Sequence, residues 1–171
     1  WQALIPDYID WQIRRQPDWA FLQAELQQSV ALGNGRELKG RLDRIDHGAH
    51  GKAIIDYKTG NPPKQADVDS GEKVQLPSYA LLTESPPARV EYLRLDQKVA
   101  TGAVLEGEAL DSLGAAVRQR LVEVLCDIDN GAPLPAWGDS RTCEYCSMDG
   151  LCRRQTWPGT ESGDTGNAGS A

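Results

Sequence analysis

Apolar residues recur along this chain with two different periods. Residues 1–16 place Ile5, Ile9 and Ile13 at four-residue steps, with Trp1, Leu4, Tyr8 and Trp11 close by. That spacing predicts an amphipathic helix ending before Pro17. Residues 19–32 carry two signals, since their propensities suit a helix while Leu26, Gln28 and Val30 also permit an extended segment. Gly33-Asn34-Gly35 reads as a turn, residues 36–46 as a strand, His47 to Gly51 as a Gly-rich hairpin loop, and Ala53 to Thr59 as the next strand. Gly60-Asn61-Pro62-Pro63 breaks that strand, and a polar loop runs on to Asp69. Asp69 and Glu72 have capping-box spacing for a helix through Leu82, which Pro77 must kink or push to a later start. Val90 to Asp96 and Val99 to Leu105 read as two strands joined by a tight turn. Leu110, Leu113, Val117, Leu121, Val124 and Ile128 then mark one stripe of a long helix that Gly131 closes.

The order helix, strands, helix, strands, helix predicts an α/β fold: a mixed central β-sheet of about four strands flanked by α-helices. No internal repeat is visible. At 171 residues the chain suffices for one domain with a true core. That domain is expected over 1–157, with 132–157 an irregular cysteine-bearing segment and 158–171, rich in Gly, Ser and Thr, a disordered tail. No run approaches a membrane span. Trp-Gln-Ala-Leu-Ile, lacking an initiator Met, is expected to be the interior of a longer chain.

Chemistry concentrates on the two adjacent extended segments. Asp43 stands in Gly-Arg-Leu-Asp and Asp56, thirteen residues later, in Ile-Ile-Asp-Tyr-Lys. Side chains alternate along a strand, so Asp56 and Lys58 share one face and Tyr57 takes the other. Oxygen ligands from two strands beside a lysine suit a hard cation, Mg²⁺ or Mn²⁺, and the cleavage of a phosphodiester. The net charge of −7 argues against indiscriminate nucleic-acid binding over the whole surface. It leaves room for a nuclease, because carboxylates at a metal site add negative charge that the cation offsets.

Asp-Tyr-Lys-Thr-Gly after an apolar strand, with Gly-Arg-Leu-Asp-Arg-Ile-Asp before it and Gln-Leu-Pro-Ser-Tyr-Ala after it, resembles the PD-(D/E)XK nuclease superfamily over about residues 19–154. Within that superfamily the string is most similar to the RecB/AddB-like exonucleases, which include Cas4-type nucleases. The resemblance implies a restriction-endonuclease-like fold, with Asp43 and Asp56 as metal-binding carboxylates, Lys58 as the catalytic lysine and the Tyr57 backbone carbonyl as a further metal ligand. It makes Glu25 the upstream acidic ligand or metal-orienting residue, and so implies that residues 24–31 are a strand. Gln75 and Tyr79, four apart on one helix face, match its Gln-x-x-x-Tyr motif, contacting DNA or the active site.

Three of the four cysteines, Cys143, Cys146 and Cys152, fall within ten residues. That spacing suits zinc or an Fe–S cluster in a reducing cytoplasm better than a disulfide scaffold. The segment is similar to the C-terminal cluster motif of AddB- and Cas4-like nucleases, which implies a [4Fe–4S] cluster whose fourth cysteine lies near the N-terminus. No cysteine precedes Cys126, and no histidine precedes His47, where many relatives carry a metal-binding one. His47 and His50 are expected to face solvent. The function expected is that of a Mg²⁺-dependent exonuclease acting on DNA in double-strand break repair, partnered by a helicase subunit or helicase domains. The alternative is a non-catalytic DNA-binding module, or a zinc or Fe–S interaction module, that keeps the fold.

Overall fold

The computed structural model describes residues 2–133 and 143–153. Trp1, most of the segment after Ala132 and the tail expected to be disordered lie outside the described residues. The chain divides into two compact units, residues 1–124 and residues 125–171.

In the first unit, α1 (Leu4–Arg15) precedes three strands, β1 (Trp19–Gly33), β2 (Arg36–Gly48) and β3 (Gly51–Lys58). Helices α2 (Gln65–Asp69) and α3 (Gln75–Leu81) lead to β4 (Arg89–Leu95) and β5 (Val99–Glu106), and α4 (Gly107–Asp129) follows. One five-stranded sheet results, in the order β1-β2-β3-β4-β5. Only β3 and β4 run parallel, and the connection between them carries α2 and α3.

Residues 19–32 resolve as strand, giving five strands where four were expected. Along their distal half Leu26, Gln28, Val30 and Leu32 are half-buried and their alternates exposed, the period of a sheet with one covered face. Asn34 (φ 50°) and Gly35 (φ 73°) close the β1–β2 hairpin between the paired Gly33 and Arg36. Two central residues with positive φ make the primed two-residue turn that suits strand twist, and Asn-Gly is its preferred sequence.

Two cores lie on opposite faces. Leu42, Ile45, Ile54, Val90, Tyr92 and Leu105 meet Val68, Leu76, Tyr79, Leu82 and Leu110 from the helices on one face. On the other, Ile55 and Leu93 pack with Trp11 of α1, flanked by Tyr8 and Tyr57. Gly114 of α4 lies close against α3, where an added Cβ would stand 3.5 Å from Ala80 Cβ. Leu110 is buried and Leu113 half-buried on that stripe.

Two expectations are corrected. The isoleucines of α1 do not face the core, being 51, 49 and 61% exposed at Ile5, Ile9 and Ile13. Leu4, Tyr8, Trp11 and Arg15 face inward instead. The reason is electrostatic: Asp46 and Glu91 are fully buried on β2 and β4, and Arg15 pairs with both at 2.6 Å. Buried carboxylates without cations are costly, so the helix presents its arginine. The capping box at Asp69 and Glu72 does not form. Asp69 ends α2, while α3 starts at Gln75 behind Val74, which makes no side-chain cap. Pro77 thereby falls in the first turn, where its missing N–H has no helical partner to lose.

In the second unit α4 ends as predicted at Gly131, with φ 78°. The N–H groups of Gly131 and Ala132 bond back to Ile128 and Asp127 at 3.0 and 2.9 Å, satisfying carbonyls of the last turn. A short helix, α5 (Asp149–Cys152), follows. Among the described residues no helix is long and apolar enough to cross a membrane.

Candidate active site

The site begins where two strands part. The β2–β3 ladder runs from Gly48↔Gly51 to Arg44↔Ile55 and stops there. The next N–H of β3 on that side belongs to Tyr57, and it donates to Asp43 Oδ2 at 3.1 Å. Asp43 thus replaces the lost strand partner and is held beside the end of β3. Within one extended residue N–H and C=O leave the strand on the same side, so the Tyr57 carbonyl also opens toward Asp43. Leu42 and Ile45, three apart, enter the same core, so the alternation of β2 breaks between them, at Asp43. Opposite this break, between the pairs Ala24↔Arg44 and Leu26↔Leu42, Glu25 adopts φ 54°. A left-handed conformation in a residue with a Cβ costs on the order of 1 kcal/mol and often marks a functional site.

Asp56 is 3% exposed, and its two oxygens are treated differently. Oδ1 accepts from Gln75 Nε2 at 2.8 Å and from the Tyr79 hydroxyl at 2.5 Å. Oδ2 lies 2.6 Å from Lys58 Nζ as an ion pair, yet takes no hydrogen bond of good geometry. Lys58 Nζ donates to Gln75 Oε1 at 2.9 Å and sits 5.1 Å from the centre of the Tyr92 ring. Gln75 completes the circuit by donating to the Tyr79 hydroxyl at 2.8 Å, while the Tyr92 hydroxyl stands 3.4 Å from its Oε1. The spacing of Gln75 and Tyr79 in α3 is what allows both to reach one carboxylate.

Burial and neighbouring charges shift the ionisation of several groups here. Burial raises the Asp43 carboxyl above its ordinary range; the Tyr57 N–H acts the other way, and the charges of Asp56 and Glu25 add to the rise. Burial, then the Asp56 carboxylate, push Tyr92 up to about 12 and raise Tyr79 further, so both phenols stay protonated as donors. Burial and the Tyr8 hydroxyl, 3.0 Å away, also raise Tyr57, whose ring lies on the opposite face.

Asp43, Asp56, Tyr57, Lys58, Gln75 and Tyr79 are therefore brought to one place. Glu25 stands at the edge of this group: its charge acts on Asp43, while its carboxylate, 62% exposed, pairs with Arg41 at 3.0 Å. His47 and His50 face solvent. Cys143, Cys146 and Cys152 are not joined in disulfides, and among the described residues no three of His, Cys, Asp or Glu come together as a metal site. Tyr92 and the pairing of Arg15 and Arg44 with the buried Asp46 and Glu91 were not read from the sequence. A tyrosine in an apolar strand next to the strand of Asp56 was the only available hint.

The pattern of the PD-(D/E)XK nuclease superfamily matches residues 1–153. The chain belongs to the PD-(D/E)XK nuclease superfamily. Among solved structures the crystal structure of SSO0001 is similar, at 17% identity and a TM-score of 0.45, covering 76% of this chain and 59% of that one. Comparison with curated proteins gives no match. Membership in the PD-(D/E)XK superfamily implies a metal-dependent nuclease, with Mg²⁺ or Mn²⁺ as the usual ion. The residues present fit such a cation. Asp56 Oδ2 is a buried oxygen without a hydrogen bond, and Asp43 is a carboxylate held among like charges that a dication relieves. With the Tyr57 carbonyl they form an all-oxygen donor set suited to a hard ion.

Proposed function

We propose that this domain is a Mg²⁺- or Mn²⁺-dependent DNA exonuclease of the RecB/AddB-like, Cas4-related branch, serving a helicase–nuclease in double-strand break repair. The observation carrying this reading is the convergence of Asp43, Asp56 and Lys58 where the β2–β3 ladder opens. Asp43, Asp56 and the Tyr57 carbonyl would hold the ion. When bound, the ion polarises the scissile phosphate and lowers the pKa of water.

The chain's own residues do the rest. Lys58 places a positive charge beside the phosphoryl oxygens and orients the attacking water. Gln75 and Tyr79 fix the Asp56 carboxylate so that Oδ2 keeps its aim. The attacking water gives up a proton to solvent as its oxygen bonds to phosphorus, one P–O ester bond breaks, and the leaving alkoxide takes a proton from solvent. Because the sequence carries no helix-turn-helix, zinc-finger or RNA-recognition signature, DNA contacts should be to backbone and shape, and cleavage indifferent to sequence.

Linear and covalently closed circular DNA, incubated with Mg²⁺ and wild type or Lys58→Ala, test the proposal. Loss of linear DNA alone, abolished by Lys58→Ala and by chelation, is the expected result. Cutting of the circle replaces the exonuclease reading with an endonuclease, and identical traces for both proteins favour a non-catalytic DNA-binding module.

A further inference from the structure

Tyr92 belongs to no motif read in the sequence, yet it touches both ends of the Lys58–Gln75 contact. It is fully buried on β4, where the parallel register sets it directly beside Asp56. Its ring face lies under the Lys58 ammonium and its hydroxyl near Gln75 Oε1. The base of the side chain is crowded from the β5 side: a Cβ on Gly102 would come within 3.1 Å of Tyr92 Cβ and 3.0 Å of Pro62 Cγ, so glycine is what lets these groups close up.

A lysine ammonium rides on four rotatable carbons and needs partners to fix it. Asp56 Oδ2 is the nearest, at 2.6 Å. That same oxygen is the one offered to a cation, so Lys58 and the ion compete for it. Once Asp56 turns to a cation, two of the contacts seen here remain, Gln75 Oε1 and the Tyr92 ring. An aromatic face attracts an ammonium within about 6 Å of its centre, more strongly when water is excluded. A hydroxyl beside Oε1 also favours the Gln75 orientation that turns oxygen to Lys58 and nitrogen to Asp56. We propose that Tyr92 is the positioning residue that keeps the Lys58 ammonium over the site while Asp56 is engaged by a cation. Its effect on rate rests on the cleavage reading above; the Tyr92–Lys58 contact does not.

Lysine labelled with ¹³C provides a readout independent of turnover. The ε-methylene protons of Lys58, assigned by their loss in Lys58→Ala, should lie upfield of the other lysines from the ring current, and stay upfield in Mg²⁺. Tyr92→Phe should preserve this shift, and Tyr92→Leu should erase it. In Mg²⁺-dependent cleavage of linear DNA, Tyr92→Phe should stay within about threefold of wild type, and Tyr92→Leu should lose roughly three- to thirtyfold in kcat with KM little changed. A wild-type Lys58 signal at the ordinary lysine position in Mg²⁺ overturns the proposal, as does a folded Tyr92→Leu protein with wild-type kcat. If the leucine variant does not fold, the wild-type signal and the phenylalanine variant decide. An upfield Lys58 signal in a protein that cleaves nothing upholds the contact and removes the cleavage reading alone.

Discussion

The two carboxylates of the site should affect stability in opposite directions when no cation is present. Asp43 sits among like charges, and burial together with Asp56 and Glu25 raises its carboxyl above the ordinary 3.8. Asp43→Asn keeps an acceptor for the Tyr57 N–H and removes the repulsion. Because the group is only partly buried, the gain at neutral pH should stay under about 1 kcal/mol. The sign with pH follows from the raised value. The ionised carboxyl penalises the fold above its folded pKa, and the penalty fades as pH falls through that value toward 3.8. The wild type should therefore approach the variant as pH is lowered. Asp56 is instead compensated, by Lys58 at 2.6 Å and by two donors on Oδ1. Asp56→Asn turns an amide N–H₂ toward the ammonium or forfeits both donors, at a cost of about 1.5–3 kcal/mol. Urea denaturation with chelator present, from pH 4 to 8, measures both. Mg²⁺ at ten times its dissociation constant should add about 1.4 kcal/mol to the wild type and nothing to either variant. A destabilised Asp43→Asn, or an Asp56→Asn protein as stable as wild type, would refute this account of the site.

Other consequences are open to simpler measurement. Tyr79→Phe removes one of the two donors to Asp56 Oδ1 and should weaken Mn²⁺ binding, read by electron paramagnetic resonance, about ten- to a hundredfold. Arg15→Met strips a guanidinium from both Asp46 and Glu91, and loss of one partner from a buried ion cluster costs about 3–5 kcal/mol. Its denaturation midpoint should fall well below that of Arg14→Met, a change at an exposed position. Ile9→Gln should shift stability by less than about 0.5 kcal/mol despite its place in the apolar period, because that side chain is half exposed.

What the sequence discloses depends on how local the cause is. Asp56 and Lys58 share a face because strand alternation is a property of three consecutive residues. The Asn34-Gly35 turn and the Gly131 stop are equally local, and both stand where they were read. The face of α1 was misread because it is chosen by Asp46 and Glu91, which lie 31 and 76 residues from Arg15. Residues 19–32 became a strand through pairing with β2, a choice their own propensities left open. Pro77 carried the true start of α3, and the competing Asp69–Glu72 spacing had no helix to cap. Tyr92 was silent because its meaning comes from the parallel register with β3, a pairing made across two intervening helices.

Mn²⁺ binding and DNA cleavage, measured side by side on wild type, Asp43→Asn, Asp56→Asn and Lys58→Ala, bear most directly on whether one pocket does both tasks. Both asparagine variants should lose tight binding and cleavage together, whereas Lys58→Ala should still bind the ion and cut nothing. An Asp43→Asn protein that binds Mn²⁺ and degrades DNA like the wild type would contradict the shared centre.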